Sequence, residues 1–443
     1  MTRMTSLQDR ATIDQLAQLG YTDRQIAAKV NWQARTVRKW RRRAQRHGRK
    51  GLASQMGRPP TGALSSYPAL IRETLLAWRL AHPGWGPKTL QTELAADERF
   101  TGQQLPGRSS IAHFLKEQNL ARPYVRHSEL PQPQTRTASV PHEEWEIDAR
   151  GHQRVPDVGV IALININDVF SRAKLLSYPG WVGEKRISRH LNTEDYQLAL
   201  RLAFTEWGLP DRLAVDHDSV FYDNTSPSPF PTRLHVWLLA LGVCLTFGRK
   251  GRPTDQGMTE RSHQIWYQQV LQGQTFPSWQ ALQEALCQRR TFLNEHLPCS
   301  TLGDVPPLVA CPAARRPRRL YRPEWERDLL DLGNVYDYLA QGQWFRRGSK
   351  TGTVSLGSKV YCLGKQWIDQ EIEITFDLQD QQLVFCTADG EHTKHFAPRG
   401  LTTADFMGEL EPLVGLDAFQ LMLPFSWDDL RVTRLCETLG VTT

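Results

Sequence analysis

The strongest constraint on how this chain can fold is the order of its apolar runs between positions 142 and 295. Three short runs come first, Trp145-Glu146-Ile147-Asp148, then 158–166, then 173–178. A helical stripe follows over 193–207, with Tyr196, Leu200, Ala203 and Phe204 on one side. A strand at 212–215, a helix at 234–241, a strand at 243–247 and a helix opening near Asp255 complete the series, and a further helix over 279–295 closes it. Three strands followed by alternating helix and strand predict an α/β layer on a mixed sheet.

Within this pattern three acidic positions stand at element ends. Asp148 ends the first strand, Asp216 follows the strand 212–215, and Glu260 lies near the start of a helix. Carboxylates gathered from separate elements suit Mg²⁺, which takes oxygen ligands, and two such ions can clamp the attacking and leaving oxygens of a phosphodiester. Taken alone, an Asp at a strand end is more often a turn or cap residue than a ligand, and Asp168 is read as a turn residue.

Ahead of the core, residues 1–50 have the organisation of a helix-turn-helix. Ile13, Leu16 and Leu19 form one stripe that Gly20 stops, and Thr22-Asp23-Arg24-Gln25 has capping-box spacing for a short second helix. After Asn31-Trp32-Gln33, a helix from Ala34 carries Arg35, Thr36, Arg38, Lys39, Arg41, Arg42 and Arg43 around Val37 and Trp40. A major groove admits one helix, and Arg or Lys reaches both phosphates and guanine edges, so Arg35, Thr36, Arg38, Lys39 and Arg42 are the candidate DNA contacts. The plainer alternative is a solvated basic helix. Residues 51–66 read as a linker, and 67–125 as a second helix-turn-helix of winged type, less basic than the first.

Residues 122–141 carry four prolines and form an extended connector. Beyond the core, Arg315, Arg316, Arg318, Arg319 and Arg322 lie among three prolines, a stiff basic linker suited to tracking phosphates. Alternating apolar positions from Val354 to Phe385 predict a small SH3-like β barrel over 340–400, and 401–443 a helical tail.

Composition narrows the class further. Lys and Arg number 54 against 47 Asp and Glu, an excess that matters where it clusters. Seven scattered cysteines without a CxxC pair fit no zinc site and point to a reduced compartment. The first ten residues lack the apolar core of a signal peptide, and the run 234–247 is too short to span a bilayer. The expectation is a cytoplasmic, nucleoid-associated protein with no membrane partner.

Residues 142–311 resemble the retroviral-integrase-type catalytic core of insertion-sequence DDE transposases. The resemblance rests on Trp145-Glu146-Ile147-Asp148, on Ile166-Asn167-Asp168-Val169-Phe170-Ser171-Arg172, and on Gly208-Leu209-Pro210 leading to Asp216. It continues through Gly251-Arg252-Pro253-Thr254-Asp255-Gln256-Gly257-Met258-Thr259-Glu260-Arg261 and Leu302-Gly303-Asp304-Val305-Pro306-Pro307, in the family's order. It implies an RNase H-like catalytic core, with Asp148, Asp216 and Glu260 as catalytic metal ligands for Mg²⁺, or Mn²⁺ in its place. Lys250 and Arg252, just before the last helix, lie where a phosphate would be held. The sequence departs from the family pattern in three places. Asp216-His217-Asp218 replaces Asp-Asn-Gly, Gln256-Gly257 replaces Asn-Gly, and residues 222–232 are inserted between the second and third acids.

The whole reads as a multidomain α/β protein, with N-terminal helix-turn-helix units, an RNase H-like mixed-sheet core and a small C-terminal β barrel. The function implied is a DDE transposase that binds double-stranded DNA at its element ends, cleaves, and joins 3′-hydroxyls to target DNA, as a homo-oligomer on DNA. Two other readings compete with it. A catalytically inactive, transposase-derived regulator would bind DNA without Mg²⁺ and never nick it. An RNase H-like nuclease would cleave without cognate ends and never join strands.

Overall fold

The computed structural model describes residues 5–53, 62–121, 136–183, 189–248 and 257–408. Lys250 and Arg252 lie outside these, as does nearly all of the expected helical tail. The chain divides into two compact units, one of residues 1–74 with 109–121, the other of 75–108 with 122–443, so that the division falls inside the segment 67–125.

The N-terminal residues form α1 (Leu7–Gln18), α2 (Asp23–Val30) and α3 (Ala34–His47). Ser6 with Asp9 closes a capping box on α1, and Thr22 with Gln25 closes the one anticipated on α2. Such boxes satisfy amides that the first helical turn leaves without partners. Asn31 ends α2 in the left-handed region at φ 53°, a conformation Asn tolerates. Ile13, Ile26, Val37 and Trp40 meet in a small core of their own. Further helices are α4 (Ala69–Ala81), α5 (Pro87–Ala96) and α6 (Arg108–Glu117), with no strand among the described residues of 62–121.

The second unit is built on β1 (Glu144–Val155), β2 (Gly159–Asp168), β3 (Lys174–Gly183), β4 (Arg212–Val215) and β5 (Cys244–Phe247), in the order β3-β2-β1-β4-β5. Strands β1, β2 and β3 run antiparallel, whereas β4 and β5 are parallel to β1. That strand order and those senses make an RNase H-like sheet. Its helices are α7 (Thr193–Trp207), α8 (Arg233–Ala240), α9 (Gly257–Trp266) and α10 (Trp279–Glu295).

Side-chain alternation sorts the strands onto two faces. Trp145, Ile147, Ile164, Ile166, Leu213 and Val215 point to the core shared with α7 and α8, while Ile161 and Leu163 join Trp266, Leu282, Leu286 and Leu293 on the other face. The same parity puts Glu146, Asp148, Asn165 and Asn167 on this second face, toward α9. A bulge between Arg150 and Gln153 shifts the alternation, so Val155 joins the second core.

After the sheet come α11 (Pro307–Ala310), α12 (Glu326–Leu329) and α13 (Leu332–Ala340). The arginines expected to track phosphates are largely spent on the core. Arg315 pairs with Glu295 at 2.7 Å and Arg318 with Asp211 at 2.8 Å, while Arg319 donates to the carbonyls of Leu241 and Pro210. This strap passes so close that a Cβ on Gly208 would lie 2.3 Å from the Arg319 carbonyl oxygen. Next to it, Arg201 of α7 makes a two-pronged pair with Glu326 at 2.6 and 2.7 Å, and Trp237 and Tyr321 donate to the same carboxylate.

The C-terminal β unit comprises β6 (Trp344–Arg347), β7 (Thr353–Leu356), β8 (Lys359–Cys362), β9 (Glu371–Asp377), β10 (Gln382–Thr387) and β11 (Thr393–Phe396), followed by the short α14 (Thr403–Met407). In place of one closed ladder it has a four-stranded antiparallel sheet, β11-β10-β9-β6, and a separate hairpin, β7-β8. Val354, Leu356, Tyr361, Ile372, Ile374, Phe376, Leu383 and Phe385 fill the space between them and belong to the same core as α8. The segment 222–232 contributes to that continuity. Phe230 packs edge-on against Trp344, the Trp344 indole donates to the Pro229 carbonyl, and Ser228 bonds the β6 backbone.

Candidate functional site

Strands β1 and β4 pair in parallel, with Glu144 opposite Arg212, Trp145 opposite Leu213 and Glu146 opposite Ala214. Carried two residues further, that register sets Asp148 opposite Asp216, at one end of adjacent strands and on the α9 face. Neighbouring parallel strands lie about 4.8 Å apart, so the two carboxylates are held as neighbours by backbone alone. Burial pushes the Asp216 carboxyl above the usual range; the Asp218 amide, 2.9 Å from its Oδ1, opposes this, and the charges of Asp148 and Asp218 add to the rise. Asp218 is occupied by its turn, its Oδ1 accepting from the Val220 amide at 3.1 Å.

Asp148 has a partner that the pattern of acids left unassigned. Its Oδ1 accepts from the Ala149 amide at 2.7 Å, and its Oδ2 lies 3.0 Å from Nε2 of His263 on α9. The other ring nitrogen of His263 is 2.6 Å from the Asn165 amide nitrogen, and Asn165 stands directly across from Asp148 in the β1–β2 ladder. One turn earlier on α9, Glu260 is exposed, at the spacing that places it beside His263 on the helix surface. Among the described residues no three acidic, His or Cys groups gather closely enough to hold a metal.

The sequence carried a signal for this polar layer. Asn165 and Asn167 interrupt an otherwise apolar strand at alternate positions, and both are fully buried. Ser262 of α9 bonds Asn167 at 3.0 Å. Deeper in the layer, burial raises the Glu146 carboxyl and lowers the Lys174 ammonium to about 8. Asp168 is used structurally, accepting from the His142 and Ser171 amides at 2.9 and 2.7 Å.

On α3, Arg35, Arg38, Lys39 and Arg42 are exposed and Thr36 is half-buried, whereas Val37, Trp40 and Ala44 point inward. Asp23 of α2 takes hydrogen bonds from Arg38 at 3.2 Å and Arg41 at 3.0 Å. Arg10, Lys39 and Arg43 lie over the Trp40 ring.

Comparison with known proteins agrees with this N-terminal architecture, since the homeodomain-like domain family matches residues 4–53 and, in a second form, 36–115. Among solved structures, the simian T-cell lymphotropic virus intasome, solved with the PP2A regulatory subunit B56 gamma, is similar at 13% identity over 71% of this chain and 100% of that one, with a TM-score of 0.33. The HTLV-2 integrase catalytic core domain in complex with magnesium matches at 15% identity over 35% of this chain and 87% of its own, TM-score 0.26. The catalytic core domain of BIV integrase matches at 16% identity over 38% and 92%, TM-score 0.26. No helix among the described residues is long and apolar enough to cross a membrane.

Proposed function

We propose that this chain is a DDE transposase, which binds the ends of a mobile element through its N-terminal helices and cleaves and joins DNA at its RNase H-like sheet. The observation that carries this reading is the delivery of Asp148 and Asp216 to the same end and face of adjacent parallel strands. The basic helix α3 in a homeodomain-like fold supports the DNA half of it.

The donor chemistry fits a hard divalent cation. Burial and the neighbouring Asp148 charge raise the Asp216 carboxyl, a cost that an oxygen-seeking ion would relieve, and Asp148, Asp216 and, from the first turn of α9, Glu260 would hold Mg²⁺ or Mn²⁺. When bound, such ions activate the attacking hydroxyl and stabilise the leaving oxygen. The chain itself supplies rigid strand-borne positions for the first two ligands, while Arg35, Arg38, Lys39 and Arg42 fix the register on DNA through phosphates and base edges. Holding two ends at once calls for a homo-oligomer on DNA.

Strand transfer on labelled element ends, with end binding followed in parallel, tests the reading. Asp148→Asn, Asp216→Asn and Glu260→Gln should each abolish metal-dependent cleavage and joining while leaving end binding intact, and Asp218→Asn should keep substantial activity. Full cleavage by Asp148→Asn or Asp216→Asn would falsify the assignment. Cleavage of non-cognate DNA without joining would favour a nuclease, and end binding without any nicking by the parent protein a regulator.

A further inference from the structure

We infer that His263, held by Asn165, is a positioning residue that fixes the Asp148 carboxylate for its cation and thereby ties α9, with Glu260, to the ends of β1 and β4. The inference rests on the metal reading above and concerns a histidine that the three-acid pattern does not use.

The geometry carries it. His263 is only 9% exposed and Asn165 is fully buried, so this part of the α9 face is shielded from solvent. The Asn165 amide nitrogen donates to Nδ1 of His263, which leaves the ring proton on Nε2, where it donates to Asp148 Oδ2 at 3.0 Å. A carboxylate has about four acceptor positions. The Ala149 amide and His263 each take one, on different oxygens, so the head group cannot rotate while acceptor positions remain open on both oxygens.

The same contact clamps the helix. Arg150 donates to the His263 carbonyl at 3.2 Å and stacks over Tyr267, and Ser262 bonds Asn167. Three consecutive β1 and β2 positions on the α9 face, Asp148, Asn165 and Asn167, are thus spent on two adjacent residues of α9. An apolar pair would hold the helix equally well, but linking it to the carboxylate takes a side chain that carries a donor, as the His263 ring does. Partners that orient a ligand in this way are typically worth about 10- to 100-fold in metal affinity or activity.

The test uses the full chain and Mn²⁺ as the metal probe. Direct Mn²⁺ binding is read by electron paramagnetic resonance, alongside strand transfer as a function of Mg²⁺ concentration. His263→Ala should weaken Mn²⁺ binding by about tenfold or more and raise the Mg²⁺ needed for half-maximal joining by a similar factor, with end binding unchanged. His263→Gln, which keeps an N–H donor, should recover most of the loss. Asn165→Ala, which leaves the ring in place but frees it to turn, should show an intermediate loss, and this arm decides the matter if His263→Ala does not fold. Parent-like Mn²⁺ affinity in both His263→Ala and Asn165→Ala overturns the inference. Asp148→Asn separates the two levels. If it too binds Mn²⁺ as the parent does, the metal reading fails; if it alone loses Mn²⁺, only the role of His263 fails.

Discussion

Two stretches of this chain are rich in arginine, and the protein uses them in opposite ways. On α3 the cations ring an apolar ridge of Val37, Trp40 and Ala44, and Arg35, Arg38, Lys39 and Arg42 face solvent. In the strap 312–323 only a short 3-10 turn forms, over Pro312–Arg315, the rest of the strap has no regular helix, and Arg315, Arg318 and Arg319 are absorbed by Glu295, Asp211 and two carbonyls. The lesson is that a count of positive charge does not find a DNA surface. A helix projects its long side chains radially from one buried stripe, whereas an extended strap lays them against whatever it crosses.

The largest effect that could break this contrast lies in the buried pair beside the strap. Arg201→Ala leaves Glu326 buried without its counter-charge, which should cost about 3–5 kcal/mol and lower the melting midpoint by about 4–7 °C. Differential scanning calorimetry checks this; a shift below about 2 °C would mean the pair is not integral to the fold. The DNA side comes next. Replacing Arg35, Arg38 and Lys39 together by Ala should weaken end binding by about a hundredfold at moderate salt and reduce the log–log salt slope by about 2.7, three times the value per phosphate contact. Arg318→Ala with Arg319→Ala should leave the slope unchanged while lowering stability by about 1–3 kcal/mol through the carbonyls left without donors. Equal slope changes in both variants would erase the distinction.

The smallest effect sharpens the comparison within α3 itself. Asp23 feels a rise from what burial it has, outweighed by the hydrogen bonds and charges of Arg41 and Arg38, and its carboxyl is held below the usual range. A lowered carboxylate adds stability that is present above its unfolded value and is lost as pH falls through the folded one, so the Asp23 contribution should fade in acid below about pH 4. Exposed pairs of this kind are worth at most about 1 kcal/mol. Asp23→Asn should therefore change the melting midpoint little at pH 7 yet raise DNA affinity by a few-fold, since Arg38 and Arg41 lose their internal counter-charge. Fluorescence anisotropy across a salt series would detect the gain, and a fall in affinity would show that Asp23 orients the arginines productively.

Local pattern carried much of this architecture. The helices 193–207 and 279–295, the strand 212–215, and the capping box at Thr22 stand where apolar spacing and cap chemistry put them. The short apolar runs before Asp148 and Asp216 also stand as strands. What was not legible depends on contacts between positions far apart in sequence. His263 meets Asp148 across 115 positions, Arg319 meets the Leu241 carbonyl across 78, and Ser228 of the inserted segment bonds the β6 backbone across 117. No period of 2 or 3.6 reports such meetings. The alternate asparagines of β2 were the nearest thing to a local clue, because a buried polar side chain needs a partner on the element facing it.

The continuous core from α8 through Phe230 and Trp344 into the C-terminal β unit bears on how this protein could change by descent. A gene cut near position 340 would delete β6 to β11 and strip cover from Phe230, which packs on Trp344, and from Tyr336, which stacks on Phe376. The shortened product would carry a fresh apolar face prone to self-association. The helices α1 to α3 close around Ile13, Ile26, Val37 and Trp40, so a change in their coding segment leaves the core of the sheet untouched. The sheet and its C-terminal β unit share one core and so pass on together, while α1 to α3 have a core of their own.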